Sequence, residues 1–126
     1  MSESGAHRIL IVDDNEDICT SLGLALRREG YVVSSAPNGH VAMKVFPEFR
    51  PDLVILDIMM PILDGWGTLN ALNSMATKPI PFLIITATAL RIHEEELRGI
   101  PHSMMLKPLD FDEVVHRIRQ LLESVE

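Results

Sequence analysis

Leu53-Val54-Ile55-Leu56-Asp57 is the stretch that decides the fold. Four apolar residues stand in a row, and the run stops on a carboxylate. A strand with one face in water alternates apolar and polar side chains. A continuous run suits a strand covered on both faces, which is the situation of a parallel sheet. The same pattern recurs along the chain. Ile9-Leu10-Ile11-Val12 stops at Asp13-Asp14, Phe82-Leu83-Ile84-Ile85 at Thr86, and Met104-Met105-Leu106 at Lys107-Pro108. Tyr31-Val32-Val33 is a further strand candidate, second in chain order.

Helical spacing fills the intervals. Ile18, Leu22, Ala25 and Leu26 fall on one helical face, and Gly30 ends that segment. Val41, Ala42, Val45 and Phe46 predict a second helix that stops before Pro51. Asp64-Gly65 opens a weaker third helix through Leu69 and Leu72, and a short fourth helix is expected around residues 92–97. Phe111, Val114, Val115, Ile118, Leu121 and Leu122 mark the buried face of the last helix. Five strands alternating with five helices make an α/β architecture with a parallel sheet and right-handed crossovers. There is no internal repeat and no low-complexity segment.

The chain has 126 residues, which fits one domain. A domain of this size buries roughly two-thirds of its unfolded surface, enough for a core without staples. Hydrophobic residues make up 47% and charged residues 23%, an ordinary globular balance. The formal net charge of −7 argues against a nucleic-acid surface and against docking on anionic lipid. Cys19 is the one cysteine, so an internal disulfide is excluded and a reducing, cytoplasmic setting is expected. It lies in an apolar helical pattern, which favours packing over a reactive thiol. No apolar run approaches the ~18 residues of a membrane span. Residues 1–6 lack the basic and apolar regions of a signal peptide and read as a short floppy leader. The folded domain is placed at residues 7–124.

Four of the five strand candidates run straight into a polar residue. Taken singly, each such residue merely begins a surface loop. Taken together they matter, because all strand C-termini of an open parallel sheet lie along one edge, where ligands bind. Asp13, Asp14, Asp57, Thr86 and Lys107 therefore converge: three carboxylates, one hydroxyl and one ammonium. Crowded carboxylates raise one another's pKa unless something balances them. A hard cation with oxygen ligands is the obvious balance, and Mg²⁺ takes one or two carboxylates while keeping waters and phosphate oxygens. Lys107 adds a point positive charge for a phosphoryl oxygen, and Thr86 can donate a hydrogen bond to another. A carboxylate can itself be the nucleophile, forming an aspartyl phosphate. Asp57, which ends the central third strand alone, is the candidate, and Asp13 and Asp14 look more like metal ligands.

At these residues the sequence resembles the receiver domains of two-component response regulators. The matching pieces are Ile11-Val12-Asp13-Asp14-Asn15, Asp57-Ile58-Met59-Met60-Pro61 with Asp64-Gly65, Thr86-Ala87 and Lys107-Pro108. Each piece alone is weak, but their order, spacing and strand positions all agree, over about residues 7–124. The resemblance implies a flavodoxin-like, doubly wound sheet of order 2-1-3-4-5 with five helices on its two faces. It implies that Asp57 is the phosphoacceptor. Asp14 and Asp57 would hold Mg²⁺ with the backbone carbonyl of Met59, and Asp13 would act through water; Mn²⁺ would substitute. Lys107 would contact the phosphoryl group, Thr86 would move to bind it, and Ala87 gives the small residue needed beside it. The implied partners are a sensor histidine kinase or histidine phosphotransfer protein, and an output partner or effector domain. Neither nucleic acid nor membrane is expected to be contacted directly. No turnover of a separate substrate is expected. Met104 stands three positions before the Lys, where the family often has an aromatic residue.

Two other functions compete. A phosphohydrolase using Asp57 as nucleophile would carry a second acid two residues later to protonate the leaving group, and that position is Met59. A docking module independent of phosphorylation would show loss of a site residue. None is lost, and Met104 is its one support. His7, His40, His93, His102 and His116 share no ligand spacing with one another or with Cys19 and read as surface or loop residues. The Met59-Met60 and Met104-Met105 pairs and Trp66 read as packing, and Glu94-Glu95-Glu96 as a solvated face.

Overall fold

The computed structural model describes residues 6–59, 65–87 and 94–125. The five strands are β1 (Arg8–Val12), β2 (Val32–Ala36), β3 (Leu53–Asp57), β4 (Phe82–Thr86) and β5 (His102–Leu106). All pair in parallel, in the order β2-β1-β3-β4-β5. Four α-helices connect or follow them: α1 (Glu16–Arg28), α2 (Gly39–Phe49), α3 (Gly65–Met75) and α4 (Phe111–Ser124).

The continuous apolar runs divide their side chains between two cores, because successive strand residues point to opposite faces. Leu10, Val12, Val54, Leu56, Phe82 and Ile84 face α2 and α3, where Ala42, Phe46, Leu69 and Leu72 meet them. Ile9, Ile11, Leu53, Ile55, Leu83 and Ile85 face α1 and α4, packing on Leu22, Leu26, Val114 and Ile118. Each such side chain stabilises the fold by roughly 1.5–3 kcal/mol through its removal from water. All five residues of β3 and all five of β4 are buried, so the strand that carries Asp57 is fully enclosed.

Helix starts follow the capping residues. Asn15 accepts from the Ile18 N–H at 3.1 Å and Asn38 from the Val41 N–H at 2.9 Å. Asp110 accepts from the Asp112 and Glu113 N–H groups. Each side-chain oxygen satisfies a donor that the first helical turn leaves without a partner. Gly30, at φ 94°, lets the chain turn out of α1 into β2.

One expectation needs correction. Where the short fourth helix was expected, around residues 92–97, the described part is a 3₁₀ turn, Glu94–Leu97; Ile92 and His93 lie outside the described residues. Its bonds run Arg98 N–H to Glu95 and Ile100 N–H to Leu97, three residues back rather than four. Gly99, at φ 77°, and Pro101 end the segment. Leu97 and Ile100 still reach the α2–α3 core, so the turn serves as a lid on that face. The other helices and all five strands form where the sequence places them, with β2 extending to Ala36. Residues 1–5 of the expected leader, and Met60, Pro61 and Asp64 of the motif, also lie outside the described residues. Among the described residues, no helix is long and apolar enough to cross a membrane.

Candidate functional site

Strand order places the site before any side chain is considered. The chain leaves β1 for β2 at one edge and returns to β3 on the other side of β1. The carboxyl ends of β1 and β3 thus flank the point where the winding reverses, and a crevice opens there. Four polar side chains are buried among the described residues: Asp13, Asp57, Thr68 and Thr86. Three of the four stand at the carboxyl ends of β1, β3 and β4.

The sheet ladder continues one residue past the strands and fixes these side chains. The Asp13 N–H donates to Ala36 O, the Ile58 N–H to Ile85 O, and the Lys107 N–H to Thr86 O. Lys107 then reaches across: its Nζ lies 3.0 Å from Asp57 Oδ2 and 3.3 Å from Asp13 Oδ2. Asp57 Oδ1 accepts the Met59 N–H at 2.9 Å, and Asp13 Oδ1 accepts the Asn15 N–H at 2.9 Å. Both buried carboxylates are thereby held by a backbone donor on one oxygen and the ammonium on the other. Asp14 is exposed and completes the set: Asp13, Asp14 and Asp57 each offer a carboxylate oxygen, all within 4.8 Å of one another.

One ammonium against three carboxylates leaves the cluster with two surplus negative charges. Burial raises the Asp13 pKa above its ordinary 3.8, and Asp57 raises it further, against the lowering effects of the Asn15 N–H and Lys107. Burial alone would lower the Lys107 pKa. Its hydrogen bond to Asp57 and its attraction to Asp13 and Asp57 outweigh that, so the pKa is raised above 10.5 and the ammonium stays charged. An all-oxygen cluster with a double negative surplus and one solvent-facing member fits a hard divalent cation that keeps waters.

The structure brings together four of the expected side chains, Asp13, Asp14, Asp57 and Lys107. Thr86 is buried at the adjacent strand end, and Met59 is 57% exposed at the rim. Cys19 packs against the α1–α4 core and gives its thiol to Asp13 O at 3.4 Å. Burial, with Asp13 next in effect, pushes that thiol up to about 11, so at neutral pH it is no nucleophile. Trp66 packs on the α2–α3 core, and Glu95 is exposed. Sequence reasoning did not single out Asn15, which caps α1 with its side chain while its N–H holds Asp13. An Asn directly before an acidic first turn was the available signal.

A family model described as the response regulator receiver domain matches residues 9–119. The chain belongs to that family. The receiver domain is 35% identical over 116 residues to the transcriptional regulatory protein PrrA of Mycobacterium leprae, covering 91% of this chain and 49% of PrrA. It thus spans about half the length of that curated relative. Among solved structures it is similar to the response regulator TrrA of Thermotoga maritima, in complex with Mg²⁺-BeF: TM-score 0.79, 31% identity, covering 91% of this chain and 98% of that one. The chemotaxis protein CheY4 of Vibrio cholerae shares the fold, with TM-score 0.83 at 23% identity, covering 93% and 99% of the two chains. The receiver domain is a module of two-component signalling, and its acidic pocket lies where β1 and β3 end.

Proposed function

We propose that this receiver domain accepts a phosphoryl group on Asp57 from a histidine kinase or histidine phosphotransfer protein, in a Mg²⁺-dependent reaction, and thereby changes which partner it binds. The observation that carries the proposal is the placement of the Lys107 ammonium, 3.0 Å from a buried Asp57 that also lies within 4.8 Å of two further carboxylates. TrrA, 31% identical, was solved with Mg²⁺-BeF.

The roles divide as follows. Asp57 supplies the nucleophilic oxygen: a phosphorus–oxygen bond forms as the donor's phosphorus–nitrogen bond breaks, and that electron pair leaves with the imidazole. The Met59 N–H and Lys107 hold the Asp57 carboxylate in one orientation before transfer, so little reorganisation remains. Asp13, Asp14, Asp57 and the Met59 carbonyl would hold Mg²⁺, which when bound offsets the clustered negative charge and the charge of the phosphoryl oxygens. Lys107 pairs with a phosphoryl oxygen after transfer, and the Thr86 hydroxyl donates to another.

No second acid stands two residues past Asp57, where Met59 is exposed, so a substrate alcohol would leave without a proton donor. The chain is a signalling module rather than a turnover enzyme on this reading. Intact mass after incubation with a small phosphodonor tests it. One added phosphoryl group is expected with Mg²⁺ and none with chelator. Asp57→Asn should stay unmodified, and stoichiometric labelling of that variant would sink the assignment.

A further inference from the structure

At the end of the sheet opposite Asp57, an open cavity of about 580 Å³ lies between the last turns of α2 and α3 and the loops that enter β3 and β4. Its floor is apolar, with Phe46 and Ile80 buried and Met75 partly buried. Its charged lining is cationic: Arg50 and Lys78, with no carboxylate among the lining residues. With Asp52 pairing Lys78, Arg50 leaves a local positive surplus in a chain of net charge −7.

Of the two cations, Lys78 is ion-paired with Asp52 and Arg50 is not engaged by the fold. Lys78 gives one hydrogen bond to Asp52 Oδ1 at 2.7 Å and remains 62% exposed. The Arg50 guanidinium has no partner among the described residues. The helix ends facing the cavity are satisfied without either charge. Phe46 O accepts the Arg50 backbone N–H, Phe49 O accepts from Arg8 Nε, and Leu72 O accepts the Ala76 N–H. Arg50 also holds a left-handed backbone, φ 53°, at a helix cap where glycine is the usual residue. A long cationic side chain is therefore kept at a position whose backbone disfavours it, beside a cavity whose volume falls in the roughly 300–1,000 Å³ range of small-molecule sites.

We propose that this cavity binds a small amphipathic carboxylate, its apolar body on Phe46, Met75 and Ile80 and its carboxylate against Arg50 and Lys78. The guanidinium fork matches a carboxylate with two parallel hydrogen bonds, and the ammonium adds a second point of attraction. Four strand residues, Leu53 to Leu56, at about 3.3 Å each, separate the cavity from the phosphoacceptor, so the inference stands independently of what Asp57 does.

The test is an amide NMR titration of the whole chain with 4-phenylbutyrate, its neutral amide and inorganic phosphate in turn. The acid should give saturable shifts centred on residues 46, 50, 75, 78 and 80, with binding at least about tenfold tighter than the amide. Arg50→Gly removes the guanidinium while relaxing the backbone, so the fold is kept, and it should weaken binding by a similar factor. Asp57→Asn should bind as the parent does. Absence of saturable shifts, equal binding of acid and amide, unchanged binding by Arg50→Gly, or displacement by phosphate at equal concentration would each overturn the proposal.

Discussion

Asp13 is a carboxylate at 3% exposure, with a second buried carboxylate beside it and one ammonium to answer both. Burial, seconded by Asp57, raises its folded pKa above 3.8. The folded chain therefore holds this proton more tightly than the unfolded one. Its contribution to stability is fully present below 3.8 and is lost as pH rises through the folded value. In metal-free solution at neutral pH the ionised Asp13 opposes folding. Asp13→Asn keeps the shape and the acceptor for the Asn15 N–H but removes the charge. Denaturation in chelator should show the variant more stable than the parent at neutral pH. The gap should close as pH falls toward 3.8. A gap that stays constant across this range would mean that charge is not its cause. Excess Mg²⁺ should stabilise the parent by mass action, about 1.4 kcal/mol at ten times its Kd.

Elements set how tightly these residues are held. The first turn of α3 rests on the end of β3: the Gly65 N–H donates to Ile58 O at 3.1 Å, and a Cβ at Gly65 would lie 2.6 Å from that carbonyl oxygen. Gly65→Ala must therefore move backbone next to Asp57. It is expected to lower stability by roughly 1–3 kcal/mol in denaturant titration and to slow Asp57 labelling, whereas unchanged stability and rate would refute that close contact. On β5, Met104 is partly buried against the α2–α3 core, and its carbonyl is held by Arg117 of α4 at 2.8 Å. A thioether chain adapts to several rotamers, so activation should move Thr86 and the loop after it without a single rotamer exchange at Met104. Structures with and without a phosphoryl mimic decide this, and a clean buried-to-exposed exchange of Met104 would contradict it. Neither contact was legible in the sequence. Gly65 reads there only as the opening of the third helix, and Arg117 belongs to no motif. The short helix expected around residues 92–97 meets the described residues only at Glu94–Leu97, which form a 3₁₀ turn that Gly99, at φ 77°, ends.

At the scale of the molecule, the fold was legible because β1, β3 and β4 need apolar residues on both faces, and few other architectures do. The site was legible for the same reason, since uninterrupted runs make their polar endings conspicuous: Asp13-Asp14, Asp57, Thr86 and Lys107. What the runs do not encode is distance. That Lys107 lies within reach of both Asp13 and Asp57 follows from β5 pairing with β4 and from the Lys107 N–H on Thr86 O. The cationic cavity was missed because Arg50 and Lys78 stand far apart in sequence and share no motif. On the proposed function, Asp57 is the residue that receives the phosphoryl group. An aspartyl phosphate is an acyl phosphate, and borohydride reduces it to the alcohol, homoserine. Peptide mapping after treatment with a phosphodonor, Mg²⁺ and borohydride should find homoserine at position 57 alone, and homoserine at position 13 or 14 in place of 57, or an unreduced phosphohistidine, would contradict the account.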